Sequence, residues 1–192
     1  IVEVAERHTA LAGGHRVHIA DLPTVSRRVL LERHVISREL AGEADGRETL
    51  PGSGLLLARD ERLGAMVNEE DHLRLQSLRS GLRLEEAYAE VDHLDDELGV
   101  HLPFAYHPEF GYLTSCPTNA GTGLRASVLI HLPGLVLTKE IGKVLQGINQ
   151  VGLTFRGLYG EGSEVVGNFF QISNQTTLGK SEEDLIDHLQ KI

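Results

Sequence analysis

A regular helical pattern of apolar residues stands out over residues 84–98. Leucine, alanine, tyrosine and valine recur there every three or four positions, with acidic residues on the opposite side, which predicts an amphipathic helix. Looser patterns of the same period predict helices over 23–34 and 137–149. Ser181 is followed by three acidic residues, which is typical of a capped helix start and predicts a last helix.

Short apolar runs between these helices are typical of β-strands. The runs 55–58 and 64–67 flank a charged tetrapeptide, which predicts a hairpin. Residues 72–76 alternate, so that Leu73 and Leu75 are expected to face the core. Further strands are expected at 17–20, 110–115, 124–131, 151–157 and 168–173, with 110–115 paired to 124–131. The stretch 41–54, rich in Gly and Pro, is expected to form an exposed loop.

The order of these elements predicts the fold class. Strand pairs of hairpin type alternate with helices, which indicates an α+β fold with a largely antiparallel β-sheet flanked by helices. The 192 residues are enough to bury a core, and no internal repeat divides them, so we expect a single domain over 1–192. Because the chain opens at Ile1 rather than Met, we expect that domain to be part of a longer protein.

Composition argues against several classes of function. Lys and Arg number 18 against 28 Asp and Glu, and the resulting formal net charge of −10 disfavours nucleic acid as a partner. The single cysteine, Cys116, excludes an internal disulfide framework and fits a reducing cytoplasm. No apolar run is long enough to cross a bilayer and no secretory leader opens the chain, so we expect neither a membrane span nor secretion.

Two familiar site patterns fail on inspection. Gly179 and Ser181 flank a lysine as in a phosphate-binding P-loop, but Asn174 stands where that motif needs its first glycine. The ten histidines show no ligand spacing on a helix, so no metal site built from protein side chains alone is expected.

Three segments remain that combine charged residues with glycines or strand ends. They are Asn-Glu-Glu-Asp-His-Leu-Arg at 68–74, Cys-Pro-Thr-Asn-Ala-Gly-Thr-Gly-Leu-Arg at 116–125 and Arg-Gly-Leu-Tyr-Gly-Glu-Gly-Ser-Glu at 156–164. Taken singly, they also fit a solvated strand face, a small buried cysteine and a glycine-rich turn. If residues 70–76 form a regular strand, Glu70, His72 and Arg74 share one face.

Taken together, the three segments suggest a site for phosphoryl transfer. Arginines from three separate strands could clamp a polyphosphate through planar, bidentate donors. Phosphoryl transfer depends more on positioning and charge neutralisation than on covalent chemistry. The carboxylates would repel phosphate, so we expect them to hold a cationic acceptor and to take its proton.

Segments 68–74 and 116–125 resemble the signatures of the ATP:guanidino phosphotransferases, which include the creatine and arginine kinases. Segment 156–164, with Gly-Asn-Phe-Phe-Gln-Ile-Ser-Asn-Gln at 167–175, resembles the bacterial branch, the protein-arginine kinases. The resemblance runs from about residue 28 to the end. It implies a guanidino-kinase catalytic domain that transfers the γ-phosphoryl group of ATP, with Mg²⁺ carried by the nucleotide, to arginine in proteins.

The resemblance also implies roles for individual residues. Glu70 would orient and deprotonate the guanidinium, with Asp71 adjoining it, and Cys116 would lie beside the reacting nitrogen. The second carboxylate would be Glu161, as in the protein-arginine branch, or Glu164, as in the small-substrate kinases. The residues expected to contact the nucleotide, through arginine side chains, a histidine or backbone, are His34, Arg74, Arg125, Ala126, Ser127, Val128, Leu129, Arg156, Gly157, Leu158, Tyr159, Gly160 and Glu161.

Two parts of the family pattern are missing from the chain: an early Ser-Ser-Arg-x-Arg phosphate motif and a C-terminal region. We therefore expect a partial, central catalytic domain of a cytoplasmic enzyme. By resemblance, its partners would be arginine-bearing proteins, an activator protein and a degradation chaperone in a stress response. Two other functions stay open: a small-metabolite guanidino kinase, and a truncated non-catalytic domain that binds nucleotide or arginine.

Overall fold

The computed structural model describes residues 1–42, 52–157 and 166–192. Within them the chain folds into two units, Ile1–Phe104 and Ala105–Ile192. Every strand pairing in these units is antiparallel, and helices pack on the sheets, so the predicted α+β class is confirmed. No helix of the described residues has the length and apolar character to cross a membrane.

The helices and strands have the following bounds. The helices are α1 Val2–His8, α2 Thr24–Glu32, α3 Arg38–Ala41, α4 Leu84–Gly99, α5 Pro133–Leu137, α6 Ile141–Gln150 and α7 Glu182–Gln190. The strands are β1 His15–His18, β2 Gly54–Leu57, β3 Leu63–Val67, β4 Leu73–Ser77, β5 Tyr106–His107, β6 Gly111–Tyr112, β7 Ser127–His131, β8 Leu153–Arg156 and β9 Phe169–Asn174.

The first unit is built on a four-stranded sheet in the order β1-β2-β3-β4. The predicted hairpin is its centre, where Leu56 lies opposite Ala65, and every residue of β3 is buried. Helix α4 packs against β4 through the apolar stripe expected from its period. The buried residues of this core are Ala5, Leu11, Leu56, Leu63, Ala65, Leu94 and Leu98.

The second unit contains a three-stranded sheet in which β9 lies between β7 and β8, and a small hairpin of β5 and β6. One face of the larger sheet is apolar, with Leu153, Phe170 and Ile172 buried. Helix α6 packs on β8 and α7 on β9, and both helices contribute buried leucine or isoleucine side chains. The predicted cap of α7 is confirmed: the Asp184 N–H donates to Ser181 Oγ at 3.1 Å.

Several sequence predictions need correction. The expected pairing of 110–115 with 124–131 is wrong, since β6 pairs with the nearby β5 and β7 pairs with β9. The strand expected at 17–20 lies earlier, and Ile19–Asp21 forms a 3₁₀ turn. Period-based patterns identify strands but do not identify partners, because pairing depends on residues far away in sequence. Residues 43–51 of the expected loop lie outside the described residues.

The core of the first unit makes a direct prediction about stability. Leu94 is 0% exposed, so Leu94→Ala should lower the free energy of unfolding by about 2–5 kcal/mol through lost burial and a residual cavity. Leu82 is 58% exposed, and Leu82→Ala should change the free energy of unfolding by less than about 0.5 kcal/mol. Urea denaturation followed by circular dichroism measures both. Equal effects of the two substitutions would contradict the assigned core.

Candidate active site

Residues 68–72 form the tight turn that joins β3 to β4. The Asn68 N–H donates to the His72 carbonyl at 3.1 Å, and Asn68 adopts a left-handed backbone with φ 52°. Glu70 is exposed in this turn and does not belong to a strand. The alternation that was expected to place Glu70 and His72 on one face with Arg74 is therefore wrong, because β4 begins only after the turn.

A buried carboxylate, that of Glu69, organises this turn. The Glu69 side chain is 2% exposed, accepts the Glu70 N–H at 2.8 Å, and forms an ion pair with Arg74 at 3.0 Å. A charge that is buried this deeply is tolerated only with such partners. Glu69 therefore fixes both the Glu70 backbone and the Arg74 guanidinium. No local pattern in the sequence shows that, of the three acidic residues at 69–71, Glu69 carries the buried carboxylate.

The surroundings of Glu70 change its acidity. Although Glu70 is exposed, the partial burial of its carboxyl raises its pKa. The neighbouring charges of Glu69 and Asp71 raise this pKa further, while Arg74 lowers it. A carboxylate with a raised pKa is a stronger base once ionised, which suits it to accept a proton near neutral pH. The turn thus brings together three of the predicted site residues: Glu70, Asp71 and Arg74.

His34 lies just after the end of α2, where its backbone turns left-handed with φ 58°. It is half-buried, and burial lowers the pKa of its imidazole, which favours the neutral form. The Gln76 amide donates to the carbonyls of His34 and Val35 at 3.2 and 3.0 Å. Strand β4 therefore carries Arg74 and also holds the turn that presents His34.

In the second unit, Cys116 precedes a 3₁₀ turn over Pro117–Asn119 and is half-buried. Its Sγ lies 3.0 Å from the Thr118 hydroxyl, and the Thr114 hydroxyl donates to its carbonyl at 2.7 Å. At this distance the thiol and the hydroxyl form a hydrogen bond in which either group can be the donor. No pattern in the sequence marks Thr118 as the hydrogen-bond partner of Cys116.

The glycines after this turn let the chain approach itself closely. Gly121 has φ 106°, and a Cβ at this position would lie 2.5 Å from the Thr177 carbonyl oxygen. At Gly121 the backbone therefore lies close to the backbone of Thr177. Side chains larger than hydrogen are excluded by both the backbone conformation and the available space.

Asn174, at the end of β9, holds the segment that carries Arg125. Its side-chain oxygen accepts the Ala126 N–H at 2.8 Å, and its side-chain nitrogen donates to the Leu124 carbonyl at 3.0 Å. Arg125 is exposed between these two anchored neighbours. The backbone on both sides of Arg125 is therefore fixed by the side chain of Asn174.

The three-stranded sheet has a polar face opposite its apolar one. Antiparallel register places Leu129 and Arg156 opposite Gln171, on the same side of the sheet as Ser127. The Gln171 amide donates to the Ser127 hydroxyl at 3.0 Å. This face thus gathers Ser127, Leu129 and Arg156 from the predicted nucleotide residues.

The remaining predicted residues fall elsewhere. Val128 pairs with Ile172 on the apolar face, so only its backbone is available to a ligand there. Gly157 is buried at the end of β8. Outside the described residues lie Leu158, Tyr159, Gly160, Glu161 and Glu164. Within the described ranges, no three His, Cys, Asp or Glu side chains form a group that could hold a metal ion.

Comparisons with known proteins identify the family of this chain. The family ATP:guanido phosphotransferase, C-terminal catalytic domain, matches residues 2–192. A protein-arginine kinase of Shouchella clausii is 49% identical over 183 residues, which cover 95% of this chain and 49% of the relative. A protein-arginine kinase of Geobacillus stearothermophilus is 52% identical over 174 residues, which cover 91% of this chain and 46% of the relative. The chain thus spans about half the length of these curated relatives.

Solved structures of two guanidino kinases share the fold of this chain. A taurocyamine kinase from Schistosoma mansoni, with bound transition state analog components, has a TM-score of 0.87 and 30% identity, over 100% of this chain and 27% of that one. A lombricine kinase has a TM-score of 0.75 and 26% identity, over 98% of this chain and 56% of that one. Both structures share the fold of this chain, which agrees with the fold predicted from its motifs.

The buried charge of Glu69 predicts how Glu70 titrates. Glu69→Gln keeps an oxygen for the Glu70 N–H but removes a negative charge, so the pKa of Glu70 should fall. Carbon-13 NMR of the Glu70 carboxyl against pH measures this shift. Glu3→Gln, in an exposed pair with Arg7 on α1, serves as the control and should leave the titration unchanged. An unchanged Glu70 titration in Glu69→Gln would contradict the coupling.

Proposed function

Because this chain belongs to the ATP:guanido phosphotransferase family, we propose that its protein is a protein-arginine kinase, which transfers the γ-phosphoryl group of MgATP to arginine side chains of proteins. The observation that carries this proposal is 49–52% identity to bacterial protein-arginine kinases over 90–95% of the chain. The solved small-substrate kinases are less similar, at 26–30% identity. The geometry of the described residues supports the same chemistry.

The phosphate end of the reaction requires positive charge and hydrogen-bond donors. We assign it to Arg74, Arg125 and Arg156, whose planar guanidinium groups can each make two bonds to phosphate oxygens. Arg74 is oriented by the buried Glu69, and the Arg125 backbone is held by Asn174. In each of these two cases a buried polar side chain supports an accessible arginine. Mg²⁺ would enter with the nucleotide and neutralise part of its charge.

The acceptor end requires a base and an anionic environment for a guanidinium. We assign the base to Glu70, whose raised pKa suits it to take a proton, with Asp71 beside it. The nitrogen forms its bond to the γ-phosphorus as the bond to the bridging oxygen of ADP breaks, and the nitrogen proton passes to Glu70. Cys116, next to the Thr118 hydroxyl, would stabilise the cationic acceptor. The second carboxylate remains Glu161 or Glu164.

Further assignments follow from the family and belong to the same proposal. Residues 1–192 are proposed to belong to one catalytic domain, since the family match runs through both units. His34 and the backbone of 125–129 and 156–161 are proposed to contact the nucleotide. We propose that the enzyme is cytoplasmic. Its proposed partners are arginine-bearing protein substrates, an activator protein and a degradation chaperone in a stress response.

The proposal predicts acid-labile phosphoarginine on an arginine-rich protein supplied with ATP, Mg²⁺ and the complete protein that carries this chain. Phosphorus-31 NMR and mass spectrometry detect the product. Glu70→Gln should lower kcat at least about 100-fold, because the base is lost. Glu86→Gln, on the exposed side of α4, is the matched control and should leave kcat unchanged. A wild-type rate in Glu70→Gln would refute the assigned mechanism.

Assays with different acceptors, together with a measurement of ATP binding, separate the competing functions. Turnover of free arginine or taurocyamine in preference to protein would indicate a small-metabolite guanidino kinase. ATP binding measured by calorimetry, without turnover of any acceptor, would indicate a binding domain. We expect the protein acceptor to be preferred, because this chain is 49–52% identical to protein-arginine kinases.

A further inference from the structure

Two buried side chains near the end of β9 connect the cysteine loop to the arginine segment. Asn174 is 4% exposed and Thr177 is 7% exposed, so neither can reach a bound substrate. Their polar groups instead bond to the stretch that runs from Cys116 to Ala126. We call Asn174 and Thr177 together the brace.

Thr177 holds the cysteine end of that stretch. Its hydroxyl lies 3.0 Å from the Thr118 carbonyl and 2.7 Å from the Ala120 carbonyl, and its single hydrogen is shared between them. Its own carbonyl accepts the Thr122 N–H at 3.1 Å. Thr118 is the residue whose hydroxyl lies beside Cys116 Sγ. Thr177 thus anchors the turn that presents the thiol.

Asn174 holds the arginine end. Its side-chain nitrogen donates to the Leu124 and Thr176 carbonyls at 3.0 and 3.1 Å, and its side-chain oxygen accepts the Ala126 N–H at 2.8 Å. Its backbone N–H also donates to the Ala126 carbonyl at 3.3 Å. Both neighbours of Arg125 are therefore tied to one buried amide.

The two anchors belong to one short piece of chain. Asn174 and Thr177 are three residues apart, so a displacement of either anchor is transmitted directly to the other. Gly121 allows the loop to pack directly against Thr177, because a Cβ at this position would lie only 2.5 Å from the Thr177 carbonyl oxygen. Buried polar groups in such a network are costly to leave unpaired, which favours a single arrangement of the loop.

We infer that the brace sets the separation between the Cys116 thiol and the Arg125 guanidinium, and that Asn174 and Thr177 are positioning residues for phosphoryl transfer. The inference rests on the proposed function, in which Cys116 serves the acceptor and Arg125 the phosphates. Transfer requires both partners in line, and a displacement of about 1 Å can cost about 100-fold in rate. The brace has no role in the chemical step itself.

Amide hydrogen exchange tests the brace without any turnover. Thr177→Val keeps the shape of the side chain and removes the hydroxyl, so the amides of residues 119–122 should exchange about tenfold faster, the equivalent of one lost hydrogen bond. Thr177→Ser restores the hydroxyl and should restore protection. Thr138→Val is the matched control, since the Thr138 hydroxyl bonds to the Gly134 carbonyl at 2.9 Å on α5. Unchanged exchange in Thr177→Val would overturn the inference.

Steady-state kinetics of the complete protein test the positioning role. Thr177→Val should lower kcat about tenfold or more while KM for ATP stays within about twofold, and Thr177→Ser should behave as wild type. Asn174→Ala should instead raise KM for ATP about tenfold, because it releases the Arg125 segment. Faster exchange without this split between kcat and KM would overturn the inference and reduce the brace to a structural element.

The two proposals fail in different ways. If the wild-type protein transfers no phosphoryl group to arginine, the proposed function is wrong, and the positioning role for that reaction is wrong with it. The exchange experiment still decides, in that case, whether Asn174 and Thr177 hold the loop. If transfer occurs and both exchange and kinetics match wild type in Thr177→Val, only the brace is refuted.

Discussion

A buried polar group must find a partner, and this constraint shapes the candidate site residues in each of the two units. Glu69 satisfies it with the Glu70 N–H and the Arg74 guanidinium. Asn174 satisfies it with the backbone on either side of Arg125. Leaving either buried group unpaired would cost free energy, so its hydrogen bonds persist and hold the neighbouring exposed residue in place. Among the described residues the Ser173 hydroxyl, buried on the polar sheet face, is the exception.

Buried and exposed residues therefore have different roles. Glu70 and Arg125, proposed to contact the reactants, are exposed and lie in a turn and beside a strand. The side chains that hold them are buried, that of Glu69 in the turn after β3 and that of Asn174 at the end of β9. A substrate can therefore reach the functional groups, while their orientation depends on side chains that solvent cannot reach. Such preorganisation is what phosphoryl transfer requires of a protein.

The sequence alone predicted a large part of this molecule. Helix α4 and the hairpin of β2 and β3 follow from local periodicity, because their apolar residues repeat at the helical or strand period. The motifs around Glu70 and Cys116 identified the family without any structure. Periodicity failed at Glu70, where a turn replaces the expected strand, and at β6 and β7, whose partners are β5 and β9.

The sequence by itself predicted which residues carry chemistry and determined most of the segments that form helices or strands, because both follow from residue type and local spacing. Only the tertiary structure decided that Glu69 is the buried carboxylate of its motif and that Thr177 and Asn174 support the segments of Cys116 and Arg125. These pairings join residues up to 59 positions apart. Burial and long-range hydrogen bonding arise only when the chain closes on itself, so no local pattern can encode them visibly.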